Sequence, residues 1–208
     1  MSLHLHRYWL RCLAAGVVTL AMAACDKPAA DVASSTAHKR PDPSAAVADA
    51  VIPATDPDSP CRLLTDAEVR AVFPNAGPGE RERTREQYGI AACVWSGDFG
   101  RFVAQTWEAK GNSAEQEARG LSSGFVDPLN PAASNSVRYE SVAGVGEQAS
   151  AIVETQDTQR GILTDVAMLV ARKDGQMLVL MSDDLTHRDR GEALSKLQSL
   201  ARSAAGRL

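Results

Sequence analysis

Apolar and polar residues change rhythm along this chain, and the changes divide it into three parts. Cys12 to Ala24 is a short run without charge, and Asp26 to Asp58 scatters alanines among Pro, Asp, Ser and Thr. From Ser59 onward helical and strand periods take turns. The first helix start is Thr65-Asp66-Ala67-Glu68, a capping box with Leu64 and Val69 at the staple positions. Leu64, Val69, Val72 and Phe73 form its apolar stripe, and Pro74 and Gly77 end it. The charged stretch Gly77 to Tyr88 predicts a solvated loop. Ala92 to Ser96 and Arg101 to Glu108 alternate as two strands joined across Gly97-Asp98-Phe99-Gly100. A second capping box, Ser113-Ala114-Glu115-Gln116, predicts a helix to about Ser122, and Asp127 to Asn135 reads as loop.

Val137 to Val142 and Ala149 to Thr155 are two further strand candidates. Val166 to Arg172 and Gln176 to Ser182 form the strongest hairpin, because two apolar runs flank Lys173-Asp174-Gly175 and Asp-Gly favours a tight turn. Their near-continuous apolarity predicts mid-sheet strands covered on both faces. From about Arg188 to Ala205, Leu194, Leu197, Leu200 and Ala201 share one helical stripe. The order is helix, two strands, helix, four strands, helix, with hairpins dominating. This predicts a single α+β domain over 59–208, a mainly antiparallel sheet of about six strands with helices packed against it.

The N-terminal segments set the expected compartment. Arg7 and Arg11 precede the apolar run, whose thirteen residues fall short of the roughly 20 a membrane-spanning helix needs. The pattern predicts a signal peptide over 1–24. Met22-Ala23-Ala24-Cys25 resembles a bacterial lipobox, with Met22 in place of the usual Leu, so Cys25 is the expected lipidation site. The alternative is an ordinary secretory signal cut nearby. Asp26 resembles an inner-membrane retention signal known from enterobacteria, and the choice of membrane stays open. Segment 25–58 then reads as an acylated cysteine followed by a disordered Ala/Pro-rich tether, since it has no aromatic residue with which to offset its ordering entropy. The expected location is the cell envelope, lipid-anchored and facing the periplasm.

Charge and cysteine usage narrow the chemistry. The formal net charge is -4 and no basic stripe is present, so nucleic-acid binding has no electrostatic support. Once Cys12 and Cys25 are set aside, Cys61 and Cys93 remain, and an even pair in an oxidising compartment reads as one disulfide. A redox-active pair is the alternative, without a Cys-x-x-Cys motif to support it. Gly144-x-Gly146-x-x-Ala149 matches the dinucleotide fingerprint, but that motif requires a helix to follow and the residues after Ala149 look extended. No cofactor is expected.

Pro60-Cys61-x-Leu63-Leu64-Thr65-x-x-Glu68-Val69, then Cys93-x-Trp95-Ser96, then Gly144-x-Gly146-Glu147-x-Ala149, and finally the apolar hairpin before a terminal helix, resemble the lipoprotein domain of the LppP/LprE type from actinobacterial envelopes. The resemblance covers nearly all of 59–208. It implies a compact α/β sandwich similar to the PsbP and Mog1 folds with the two cysteines bridged, and it transfers no catalytic residue. The proline-rich tether and the Arg/Glu-rich stretch Glu80 to Glu86 depart from it.

The residues themselves give catalysis little to use. His187 is the one histidine of the domain, beside Asp183, Asp184 and Asp189, and no Gly-x-Ser-x-Gly elbow presents a nucleophile. Ser182-Asp183-Asp184 with Asp189 offers oxygen ligands without calcium-loop spacing, and zinc has no His/Cys set. No catalytic residue and no metal site are expected. The leading expectation is a membrane-anchored, non-catalytic envelope lipoprotein that binds another envelope protein or component. The alternative is a periplasmic small-molecule receptor with Trp95, Trp107 and Tyr139 lining a cleft. A hydrolase using His187 ranks third. A pocket of about 300 Å³ or more with an exposed ring would favour the receptor.

Overall fold

The computed structural model describes residues 59–208. The expected signal peptide, the lipidation site Cys25 and the tether up to Asp58 lie outside the described residues. Among those described, no helix is long and apolar enough to cross a membrane.

The described residues open with a 3-10 turn, Pro60–Leu63, and then α1, Asp66–Val72. Thr65 caps α1 as the capping box requires: its side chain accepts from the Glu68 N–H while Glu68 accepts from the Thr65 N–H. Leu64 and Val69 are buried at the staple positions. Next come β1, Glu80–Glu82; a 3-10 turn, Glu86–Tyr88; β2, Ala91–Gly97; and β3, Gly100–Glu108. α2, Ala114–Ser122, uses the second capping box, in which Ser113 and Gln116 satisfy each other. α3 is a single turn, Ala133–Ser136. The strands β4, Glu140–Ser141; β5, Gln148–Glu154; β6, Val166–Lys173; and β7, Gln176–Ser182 follow. A 3-10 turn, Asp184–His187, leads into α4, Arg190–Ala205.

The strands form one antiparallel sheet of seven in the order β1-β2-β3-β7-β6-β5-β4. The fold is therefore α+β, with seven strands where about six were expected. The extra strand is β1, inside the charged stretch read as loop. Its Glu-Arg-Glu sequence carries no apolar alternation, so only backbone pairing to β2, with Arg81 opposite Cys93, makes it a strand. A short charged edge strand also discourages pairing with another chain. Two smaller corrections concern boundaries. α3 begins inside the stretch expected to be loop and ends one residue beyond it, and of Val137 to Val142 the strand covers Glu140 and Ser141, with the Val142 N–H also donating to the Ala149 carbonyl of β5.

β6 and β7 sit mid-sheet and are buried on both faces, as their continuous apolarity predicts. Asp174 and Gly175 close their hairpin with φ of 50° and 76°, the two positive values a type I′ turn demands. On one face Trp95, Phe102, Leu169, Leu178 and Leu180 pack under α1 and α4. Leu197 and Leu200 of α4 contribute roughly 2 kcal/mol each by burial there. On the other face Ile152, Met168, Val170 and Val179 pack beneath α2 and the segments around Val126 and Ile162. α2 lies over β5 and β6. The same face over β2 and β3 carries no helix among the described residues, and Val94, Val103 and Met181, neighbours in register, are only half-buried there.

Cys61 and Cys93 are bridged, with Cα atoms 5.0 Å apart. The link joins the 3-10 turn Pro60–Leu63 to β2.

Candidate functional site

Gly144 to Glu147 lie in the turn between β4 and β5, with positive φ at Gly144 and Gly146, and Gln148 and Ala149 already belong to β5. A strand follows where a dinucleotide site would need a helix. The turn has its own steric reason, because a Cβ on Gly146 would lie 2.5 Å from the Arg172 carbonyl oxygen.

The three aromatic candidates occupy different places. Trp95 is fully buried, and its indole N–H donates to Asp66 Oδ1 at 2.9 Å. The same oxygen accepts from the Gly79 N–H. Trp95 thus ties α1 to the sheet from within the core, and the expectation that it lines a cleft fails because its ring meets no solvent. Tyr139 lies half-buried beside a hollow of about 750 Å³. Its ring is covered by the Arg119 guanidinium 4.2 Å away, and its hydroxyl is bonded to the Ser122 hydroxyl at 2.6 Å. Its recognition groups are already engaged in holding the chain against α2.

Trp107 is different. It stands half-buried on β3, on the face that α2 leaves open, in a groove of about 480 Å³ between α2 and the Glu86–Tyr88 turn. Its indole N–H has no hydrogen-bond partner among the described residues and is not closed off from solvent. Gln105, two residues earlier and so on the same face, also lines the groove. It is 3 % exposed, and its side-chain amide makes no hydrogen bond among the described residues and is not closed off there as a buried unpaired group. Tyr88 on the rim is 74 % exposed. Ile90 and Leu121 complete an apolar flank, while Arg85, Lys110, Glu108 and Glu117 give the rim both signs of charge.

Of the residues that line this groove, sequence reasoning singled out Trp107 and did not name Gln105 or Tyr88. A signal for Gln105 was present, since it breaks the apolar face that Val103 and Trp107 otherwise make on β3. Tyr88 was concealed in the charged stretch.

The residues considered for catalysis are dispersed. His187 ends a 3-10 turn with its side chain 73 % exposed, and its nearest carboxylate is Asp165, 3.5 Å away, rather than a sequence neighbour. Asp189 caps α4 by accepting from the Glu192 N–H, and Asp184 pairs with Arg188. No group of three His, Cys, Asp or Glu side chains that could hold a metal ion occurs among the described residues.

Two other carboxylates are strongly engaged. Glu154 is 1 % exposed. Burial pushes its carboxyl upward, but hydrogen bonds from Arg138 and Arg160 outweigh that and hold it below the usual range. These contacts fasten α3 and the Asp157–Ile162 loop to the end of β5. Glu68 is held down to about 2, chiefly by the Arg207 guanidinium. Both are fastenings of the fold away from the groove.

No family model matches this chain. Neither a curated protein nor a solved structure matches it.

Proposed function

We propose that this protein is a lipid-anchored, non-catalytic binding domain of the cell envelope, held on the periplasmic side of a membrane through Cys25 and a proline-rich tether. Its working surface is the groove over β3. One observation carries the reading: among the described residues, Trp107 and Gln105 present donor, acceptor and ring groups without partners in that groove, whereas Trp95 and Tyr139 are engaged within the protein. The resemblance of the Cys61 and Cys93 motifs to LppP/LprE lipoproteins supports the compartment. The groove's volume exceeds the lower bound for small-molecule sites, which favours capture of a compact envelope component. A second reading, docking of an envelope protein, draws on the half-buried Val94, Val103 and Met181 beside the groove.

The test is crosslinking and pull-down from native membranes with the wild-type chain, Cys25→Ser and Trp107→Ala. The expected result is loss of membrane association in Cys25→Ser and loss of the captured component in Trp107→Ala. Intact mass of membrane-purified protein should show acyl chains on a chain that begins at Cys25. A chain still carrying residues 1–24 would overturn the anchor, and unaltered capture by Trp107→Ala would overturn the groove.

A further inference from the structure

The groove's lining limits what can occupy it. Its rim balances Arg85 and Lys110 against Glu108 and Glu117, so it offers no net field to a polyanion or a polycation. Lys110 and Glu108 have no ion-pair partner among the described residues, so they are available to hydrogen-bond a neutral ligand. Gln105 supplies a donor and an acceptor from one side chain, as does Asn112, whose amide nitrogen donates to Glu117 at 3.0 Å and whose side-chain oxygen has no partner among the described residues. The floor is the flat indole of Trp107, whose face attracts weakly polarised C–H groups. An acyl chain would leave the Gln105 amide unsatisfied at the floor, a costly outcome. An extended peptide would want a free strand edge, but β3 is paired on both sides and β1, at the sheet edge, is three charged residues long.

A ligand that suits these features is a ring with hydroxyls at its rim, C–H bonds on its face and no net charge. We infer that the Trp107–Gln105 groove binds a neutral, hydroxyl-rich sugar ring, in a saccharide of one or two units or at the end of an envelope glycan. The inference rests on the groove being the working surface. Its geometry assigns Trp107 to stack beneath the ring, Gln105 to exchange hydrogen bonds with a hydroxyl or acetamido group, and Lys110 and Glu108 to reach the outer hydroxyls. About 480 Å³ is room for one or two such units.

The experiment uses the full chain purified in a detergent without a sugar headgroup. It is titrated with N,N′-diacetylchitobiose and, separately, sedimented with insoluble peptidoglycan sacculi. Trp107 is the half-exposed partner of a fully buried Trp95, so its emission should shift on binding with a dissociation constant at or below about 1 mM. Calorimetry should show binding weakened about tenfold or more in Trp107→Ala and in Gln105→Met, a near-isosteric change that leaves the melting temperature in place. Response to the disaccharide identifies a free sugar as sufficient, and variant-sensitive sedimentation alone identifies the polymer as the source. Either supports the inference. Absence of both responses, or binding indifferent to both substitutions, refutes it. If neither sugar probe binds but Trp107→Ala still abolishes capture from membranes, the sugar chemistry falls while the groove stands as a binding surface.

Discussion

Glu68 offers the sharpest test of how this domain is held together, because one carboxylate completes a local motif and a distant contact at once. It accepts the Thr65 N–H at 2.8 Å, closing the capping box of α1. It also receives two hydrogen bonds from Arg207, at 2.9 and 2.8 Å, and Arg207 donates further to the Leu63 carbonyl. These contacts lower its pKa from 4.5 to about 2, with the Arg207 hydrogen bond the largest cause and burial opposing it. Taken at face value a shift of that size is about 3 kcal/mol. The side chain is 28 % exposed and the pair lies where water screens it, so about 1 kcal/mol is the working figure. Glu68→Gln keeps an acceptor for the Thr65 N–H and removes the charge. It should destabilise the protein by about 1 kcal/mol at pH 7 in urea unfolding. The folded-state pKa is depressed, so this contribution is complete above about pH 4.5 and fades as pH falls toward 2. The wild-type advantage should therefore shrink across that window. An Arg207→Met background should already have erased it, which a double-mutant cycle would measure. A difference that persists unchanged at pH 2.5, or that adds independently to Arg207→Met, would refute the reasoning.

Three further outcomes follow from the same structure. Replacing both Cys61 and Cys93 by Ala releases a crosslink with a sequence separation of 32 and should cost about 3 kcal/mol in urea unfolding, and a loss under 1 kcal/mol would argue that the bridge constrains little. Glu154→Gln leaves Arg138 and Arg160 without their shared buried carboxylate and should cost about 2 kcal/mol at pH 7. Since the folded-state pKa of Glu154 is also lowered, that penalty should diminish on acidification below about pH 4.5, and a pH-independent penalty would count against the ion pairs. Gly146→Ala forces a Cβ to 2.5 Å from the Arg172 carbonyl oxygen at φ 56° and should cost about 2 kcal/mol, whereas thermal denaturation within a degree of wild type would show that the turn relaxes freely.

The sequence by itself determined what depends on near neighbours. Thr65 with Glu68 and Ser113 with Gln116 cap their helices because the partners are three residues apart and need no other element. Asp174-Gly175 sets its hairpin by backbone preference, and the unbroken apolarity of β6 and β7 announces burial on two faces. Tertiary structure decided what depends on who lies opposite. β1 is a strand only because β2 offers it a ladder, and its three charged residues hold no trace of that in their pattern. Trp95 and Trp107 read alike as strand aromatics. One is sealed in the core and the other lies open, because α1 covers one face while α2 stops short of β3 on the other. The groove has the same origin. Its residues come from a turn, a strand and a helix that meet only when the sheet forms, so their shared chemistry arises from long-range packing rather than from any local run of sequence.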